Sequence, residues 1–469
     1  MPVTPAYRAD PRLPLLGAEF ADPVAAARFP KTLLRYRNDR AATTVGLEGL
    51  SEAEWIAHFG RFEPLPDNLD PPLAQRYHGH QFRNYNPDLG DGRGFLFAQL
   101  REVGTDRLLD LGTKGSGQTP WSRSGDGRLT LKGGVREVLA TAMLEALGAP
   151  TSRSFSLIET GEALERNDEP SPTRGAVLVR LSHSHIRFGT FQRHAYFEAA
   201  DRIDALIDHV ITNYYPELEG ASNRAAALLS AVIARSARLV ARWMAAGFVH
   251  GVLNTDNMNI TGESFDYGPY RFLPLSDPNF TAAYFDHNGL YAFGRQPEAV
   301  FWNLQQLAGC LTLASESDAL VEALNAFGPT YRRELAAAML ARLGLAPRTE
   351  DEDAALVQAA FRGLAAGGER LRWEPFFFDW FCRRDGAAGV RAEVYADPAF
   401  DDFKTRIATY DAVGAERLDD PYFAQTDPEE LLIDQIEAIW APIAEQDDWG
   451  PFEAKLRAIE TVRRAWGLS

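Results

Sequence analysis

The chain has 469 residues, 45% of them hydrophobic and 24% charged, a composition that suits two or three domains or one two-lobed enzyme. The net charge of −17 and the absence of any basic block argue against nucleic acid or an anionic membrane as the main partner. Cys310 and Cys382 are the only cysteines and lie far apart, so neither a disulfide framework nor a structural zinc site is expected. Residues 1–17 lack an apolar core of signal-peptide length, and no apolar run is long enough to span a bilayer, so a cytoplasmic location is expected.

Residues 1–75 are Pro-rich and read as an N-terminal extension. Within them a helix is predicted over residues 51–59, where Ser51 and Glu54 match a capping box. The mostly apolar residues 95–100, a turn at 103–106 and residues 108–113 read as two strands, with Lys114 at the end of the second. A turn-rich stretch over 115–128 precedes a helix predicted for 135–147. Its stripe is Val135, Val138, Leu139, Ala142 and Met143, and Gly148-Ala149-Pro150 stops it. Strands are expected at 154–158 and 176–181. After Tyr196 the pattern turns helical, most strongly over 224–246, and stays so through 300–469. The expected class is α+β, with a sheet-bearing small part over 76–190 and a largely helical part over 191–469.

Four constellations carry chemistry. Gly-Asp-Gly-Arg occurs twice, at 90–93 and 125–128. Each copy alone reads as a tight turn, but glycines let backbone N–H groups approach phosphate and the arginines add charge. Lys114 on a strand and Glu137 in the following helix have the order of a phosphate-binding lysine and its orienting carboxylate. Arg180 and Arg187 bracket Ser182-His183-Ser184-His185 and suit a terminal phosphate better than the two histidines suit zinc. Asn257 and Asp266, in His250-Gly251-Val252-Leu253-Asn254-Thr255-Asp256-Asn257 and Asp266-Tyr267-Gly268, offer hard oxygen ligands for Mg²⁺ or Mn²⁺ on a nucleotide. Kinase-like loops of this form carry their base five residues before the Asn. Here that position is Val252, which takes no proton, and the available acid is Asp256. His250 reads as a structural loop histidine, and Asp277 and Asp286 as solvated or facing substrate.

Together these residues resemble the selenoprotein O family, also called the YdiU family, of protein adenylyltransferases with a bilobal protein-kinase-like fold. The matching strings begin at Tyr77-His78-Gly79-His80-Gln81-Phe82 and run through Leu111-Gly112-Thr113-Lys114-Gly115-Ser116-Gly117 and Ile186-Arg187-Phe188-Gly189 to Asp266-Tyr267-Gly268-Pro269. The resemblance implies that ATP binds in reversed orientation and that AMP passes to Ser, Thr or Tyr hydroxyls of a protein. Gly90, Gly92, Arg93, Asp126 and Gly127 would contact nucleotide. Lys114, held by Glu137, would bind phosphate, and Arg180 and Arg187 would hold the outward phosphates. Asn257 and Asp266 would chelate the metal, and Asp256 would accept the proton. A monomer is expected. The alternatives are an atypical kinase for a protein or small molecule, and a nucleotide-binding pseudokinase without turnover. Arg83, Asp88, Gly133-Gly134 and Arg271 depart from the family's usual residues. The lack of cysteine in 267–309 and at the C-terminus makes redox regulation of the family type unexpected.

Overall fold

The computed structural model describes residues 3–167 and 169–468; the outermost residues of the expected N- and C-terminal segments lie outside the described part. The class is α+β. Strands in chain order are β1 (Ala21–Pro23), β2 (Leu33–Arg37), β3 (Leu73–Gln75), β4 (Gly79–Gln81), β5 (Asn84–Asn86), β6 (Leu96–Arg101), β7 (Leu108–Lys114), β8 (Leu129–Thr130), β9 (Arg153–Leu164) and β10 (Thr173–Ser182). Antiparallel pairing gives one sheet in the order β1-β3-β6-β7-β10-β9-β2, with β8 against β10 and β4–β5 as a separate hairpin. The strand pair ending at Lys114 and the two later strands lie where the apolar runs and turns predict, although β9 and β10 run longer. Residues 3–75, expected as an extension, supply strands to both edges of this sheet.

The helices of this half are α1 (Asp39–Thr43), α2 (Glu52–Gly60) and α3 (Leu131–Ala146). The Ser51–Glu54 capping box is present, with Ser51 N–H and Oγ–H both donating to Glu54 Oε2 at 2.9 and 2.7 Å. Helix α3 starts four residues before the predicted Val135. Thr130 caps it by accepting from Gly133 N–H at 3.1 Å, and a Cβ at Gly134 would lie 2.4 Å from Leu157 Cδ1. The two glycines weaken a helix locally, but here the close approach to β9 requires one of them.

Period-two alternation sorts the strand residues between two cores. Val177, Val179 and Leu181 pack with Trp55, Phe59, Phe97 and Phe155 on one face. Ala176, Leu178 and Leu108 pack with α3 and the helical half on the other. Lys114 pairs with Leu178, and Arg180 with Gly112, so Lys114 and Arg180 share the face that looks toward the helices.

That helical half contains α4 (Phe188–Tyr196), α5 (Ala200–Tyr214), α6 (Arg224–Ala245) and α7 (Gln296–Leu311), with the two-residue strands β11 (Phe248–Val249) and β12 (Arg271–Phe272) pairing beside the loop after α6. Asn223 caps α6 by accepting from Ala226 N–H at 3.0 Å. Further helices follow, and the last two, Ile433–Gln446 and Gly450–Trp466, return to the sheet half. There Asp447 meets Arg174 at 2.6 Å and Arg35 at 3.0 Å, and Glu437 meets Lys132 at 2.7 Å. No helix among the described residues is long and apolar enough to cross a membrane.

Candidate active site

Between the sheet and the helical half lies a cavity of about 650 Å³. Seven basic and five acidic side chains line it. In a chain of net charge −17 this local excess of cations favours an anionic ligand.

Lys114, at the end of β7, is buried, and its ammonium donates to Glu137 Oε1 from α3 and to Asp266 Oδ1. Glu137 does not line the cavity; it is buried and touches the cavity only by way of Lys114. Asp266 has φ +63, a left-handed conformation that costs most L residues about 1 kcal/mol and that Asp tolerates best with Asn. Burial pushes the Asp266 carboxyl up, but Lys114, Arg180, Arg93 and Arg187 together hold it well below the usual carboxylate range. It is therefore an anion poised beside cations.

Arg180 on β10 and Arg187 at the start of α4 are both buried. Arg187 donates from Nη1 to Asp256 O at 2.9 Å and from Nη2 to Asp91 Oδ1 at 3.2 Å. Its guanidinium lies 4.4 Å from the Tyr77 ring and 4.9 Å from the Phe265 ring. Among the described residues Nε and Nη1 of Arg180 and Nε of Arg187 are buried without a hydrogen-bond partner, although Arg180 Nη1 lies 3.8 Å from Asp266 Oδ1. Unpaired buried guanidinium donors are costly, so such groups in a cavity wall are suited to an incoming anion.

The loop after α6 is held from several directions. Gln296 and Asn303, two turns apart on α7, reach His250 N–H at 3.0 Å and Phe248 O and Leu253 O at 2.8 Å each. His250 Nε2 bonds Phe265 O at 3.0 Å, the structural role expected of it. Asn257 Nδ2 donates to Val252 O at 3.0 Å, which leaves its Oδ1 free of hydrogen bonds among the described residues. Asn257 does not line the cavity, whereas Asp256 does. Asp256 is 8% exposed, and its Oδ1 has no hydrogen-bond partner among the described residues. Burial raises its carboxyl to about 6 against the opposing pull of Arg187. Asp286 is buried and accepts from Leu290 N–H and Tyr291 N–H at 2.8 Å, a loop-shaping role rather than a solvated one; Asp277 is exposed.

Both Gly-Asp-Gly-Arg copies line the cavity. At Gly90 the reason for glycine is packing: a Cβ would fall 2.3 Å from Trp121 Cγ. Asp91 bridges the first copy to Arg187 and accepts from Gln75 N–H at 2.9 Å. In the second, Gly127 has φ +70, and Asp126 receives Arg166 Nη1 at 2.8 Å and Arg128 N–H at 3.0 Å. Burial raises the Asp126 carboxyl, but these contacts bring it below its ordinary value. Arg93 lies at the exposed rim.

The fold thus brings Gly90, Gly92, Arg93, Lys114, Asp126, Gly127, Arg180, Arg187, Asp256 and Asp266 to one cavity wall, with Glu137 and Asn257 behind it. Tyr77, Asp91, Trp121, Arg123 and Arg166 also line the cavity and were not singled out by sequence. Asp91 sits inside the first Gly-Asp-Gly-Arg string. Arg166, in the turn between β9 and β10, carries no local signal.

A polar cavity with buried arginine donors, a strand lysine and clustered carboxylates has the chemistry that suits a phosphate-bearing ligand. Residues 5–460 match the family model described as "Protein adenylyltransferase SelO", and the chain belongs to that family of nucleotidyltransferase enzymes. It is 45% identical to "Protein nucleotidyltransferase YdiU" of Synechocystis sp., over 96% of this chain and 98% of the relative. The protein of the same name from Gloeobacter violaceus is 46% identical over 94% of this chain and 93% of its own length. That from Aeromonas salmonicida is 40% identical over 74% and 71%.

Proposed function

We propose that this chain transfers AMP from ATP to Ser, Thr or Tyr hydroxyls of proteins, through a kinase-like arrangement in which ATP lies with its α-phosphate toward the acceptor. The observation that carries this reading is the pairing of Val252 with Asp256. The position of a kinase base holds a side chain that takes no proton, while a buried carboxylate with an unpaired oxygen faces the cavity.

In the step, the acceptor oxygen bonds to the α-phosphorus. The bond from that phosphorus to the bridging oxygen breaks, and pyrophosphate leaves with the electron pair. The hydroxyl proton passes to Asp256. A carboxyl raised to about 6 is ionised at neutral pH and still basic enough to take that proton. Arg180 and Arg187 supply donors to the leaving pyrophosphate, and Lys114 supplies charge along the phosphates. Asn257 Oδ1 and the Asp266 carboxylate are hard oxygen donors that fit Mg²⁺ or Mn²⁺, which when bound neutralises phosphate charge. The protein-kinase-like reading of the fold rests on the order strand lysine, helix glutamate, loop asparagine and Asp-x-Gly.

The test is label transfer with Mg²⁺ to the chain itself or to casein, comparing ATP labelled at the α- and γ-phosphates, with Asp266→Ala as control. Label from the α-position alone is expected. Label from the γ-position alone would make the chain a kinase, with Asp256 as its displaced base. Nucleotide binding without transfer of either label would leave a pseudokinase.

A further inference from the structure

The segment preceding the first glycine loop crosses to the loop after α6 and ties it down. His80 N–H donates to Thr255 Oγ1 at 2.7 Å, and Thr255 Oγ1–H donates to Gln192 Oε1 at 2.6 Å. Gln192 Nε2 closes the ring by donating to His80 Nδ1 at 2.7 Å. Since an amide nitrogen only donates, that imidazole nitrogen carries no proton. Thr255 is fully buried and Gln192 is 4% exposed. The three residues come from the β4–β5 hairpin, from α4 and from the loop, and none of them lines the cavity. Beside the ring, Phe82 N–H donates to Asn254 Oδ1 at 3.0 Å, and Tyr291 Oη–H donates to the same oxygen at 2.8 Å.

This ring adjoins Asp256 at two points. Thr255 is its chain neighbour, and Gly79, the neighbour of His80, lies directly against it: a Cβ there would come 3.0 Å from Asp256 Oδ1 and 3.1 Å from Asp256 Cβ. Arg187 holds the Asp256 backbone carbonyl, and among the described residues no side chain donates a hydrogen bond to its Oδ1. Its orientation is thus set by what holds its backbone and what limits its side chain. We infer that Gln192, Thr255 and His80 form a positioning lock for Asp256, with Gly79 as the wall that fixes the direction of its carboxylate. The inference rests on the proposed role of Asp256. Every buried polar group in the ring is satisfied by another member, so removing one orphans a neighbour and frees the loop rather than relaxing it harmlessly.

The experiment compares Gln192→Leu, Thr255→Val, Thr255→Ser and Gly79→Ala with wild type in three readouts. These are turnover and KM for ATP, the melting temperature, and hydrogen exchange of residues 250–258. Gln192→Leu and Thr255→Val should lower kcat by about tenfold or more with KM for ATP within about twofold, because the lock acts on the reacting group and not on nucleotide contacts. Thr255→Ser, which keeps the hydroxyl, should recover most of that loss. Gly79→Ala should lower kcat without loosening the loop. Exchange over 250–258 should quicken in the first two variants while the melting temperature barely moves.

Unchanged exchange and unchanged kcat in Gln192→Leu would overturn the lock, as would parallel loss of kcat, ATP affinity and melting temperature. If wild type transfers the γ-label instead, the adenylyl reading fails but the same variants still report on the lock. If wild type transfers nothing, the exchange measurement alone decides it.

Discussion

The Lys114 ammonium is shared between two carboxylates, Glu137 from α3 and Asp266 from the end of the loop after α6. One partner is buried behind the lysine; the other faces the cavity. The asymmetry separates their roles. Glu137 holds Lys114 from the side away from the cavity, while Asp266 also presents its carboxylate to the cavity, and under the proposed function it would exchange Lys114 for a nucleotide-bound cation.

Asp266→Ala should therefore leave a folded protein, because Lys114 retains Glu137 and no buried ammonium is orphaned. Label transfer should fall by at least about a hundredfold, as when a positioned charge-stabilising group is lost from a transition state. Circular dichroism and a thermal melt check the first half, and α-labelled ATP the second. Full activity in a well-folded Asp266→Ala protein would sink the metal-site assignment.

Asp256→Ala should lower turnover far more than nucleotide affinity, since a proton acceptor acts in the step and not in binding. A loss on the order of 10²–10⁴-fold in kcat is expected. Calorimetric titration with a non-hydrolysable ATP analogue, set beside single-turnover rates, separates the two. Loss of binding with an undiminished single-turnover rate at saturation would move Asp256 to a structural role.

Glu102 offers a pH-dependent contribution away from the site. Burial raises its carboxyl, but hydrogen bonds from Arg107 and Thr105 and the charges of Arg107 and Arg153 bring it down to about 2 from the model-compound value of 4.5. A depressed folded-state value means that the stabilisation is fully present above about 4.5 and is lost as pH falls toward about 2. The melting-temperature gap between wild type and Glu102→Gln should therefore be widest at neutral pH and close steadily on acidification below about pH 5. A gap that is constant with pH would show that the contacts, not the charge, do the stabilising.

Arg83 stands where the resemblance leads one to expect glycine, and its φ of +64 explains the expectation. The arginine compensates by pairing with Glu298 at 3.1 Å and lying 5.4 Å from the Trp302 ring. Arg83→Ala removes these contacts and keeps the strain, whereas Arg83→Gly removes both. The glycine variant should be more stable than the alanine variant by about 1 kcal/mol, the reverse of their order in regular secondary structure. Urea unfolding of the two variants measures the difference directly.

The parts of the fold that follow from neighbouring residues were readable in advance. The Ser51–Glu54 cap, the strand pair ending at Lys114 and the long amphipathic α6 are local patterns, and they form where those patterns fall. The start of α3 was misplaced because two glycines argue against a helix until Leu157 is seen packing on one of them. The β1 and β2 edge strands were missed because three- and five-residue strands in a Pro-rich stretch have too little periodicity to register.

The candidate site divides in the same way. Lys114, Asp256 and Asp266, which the fold brings to the cavity, each sit in a short recognisable string, whereas Asn257 in one of those strings lies off the cavity. What no string discloses is the burial of Arg180 and Arg187, which a strand-and-loop reading leaves open to solvent, and the approach of Gly79 to Asp256. His80 reaches Thr255 across 175 residues of chain, and nothing local to either position records it. Residue types and spacings define which groups are available for charge neutralisation and proton transfer. Which of them are desolvated, unpaired and facing one another depends on long-range packing between the sheet and the helices. Desolvation and orientation are properties of neighbours in space, and only the tertiary structure chooses those neighbours.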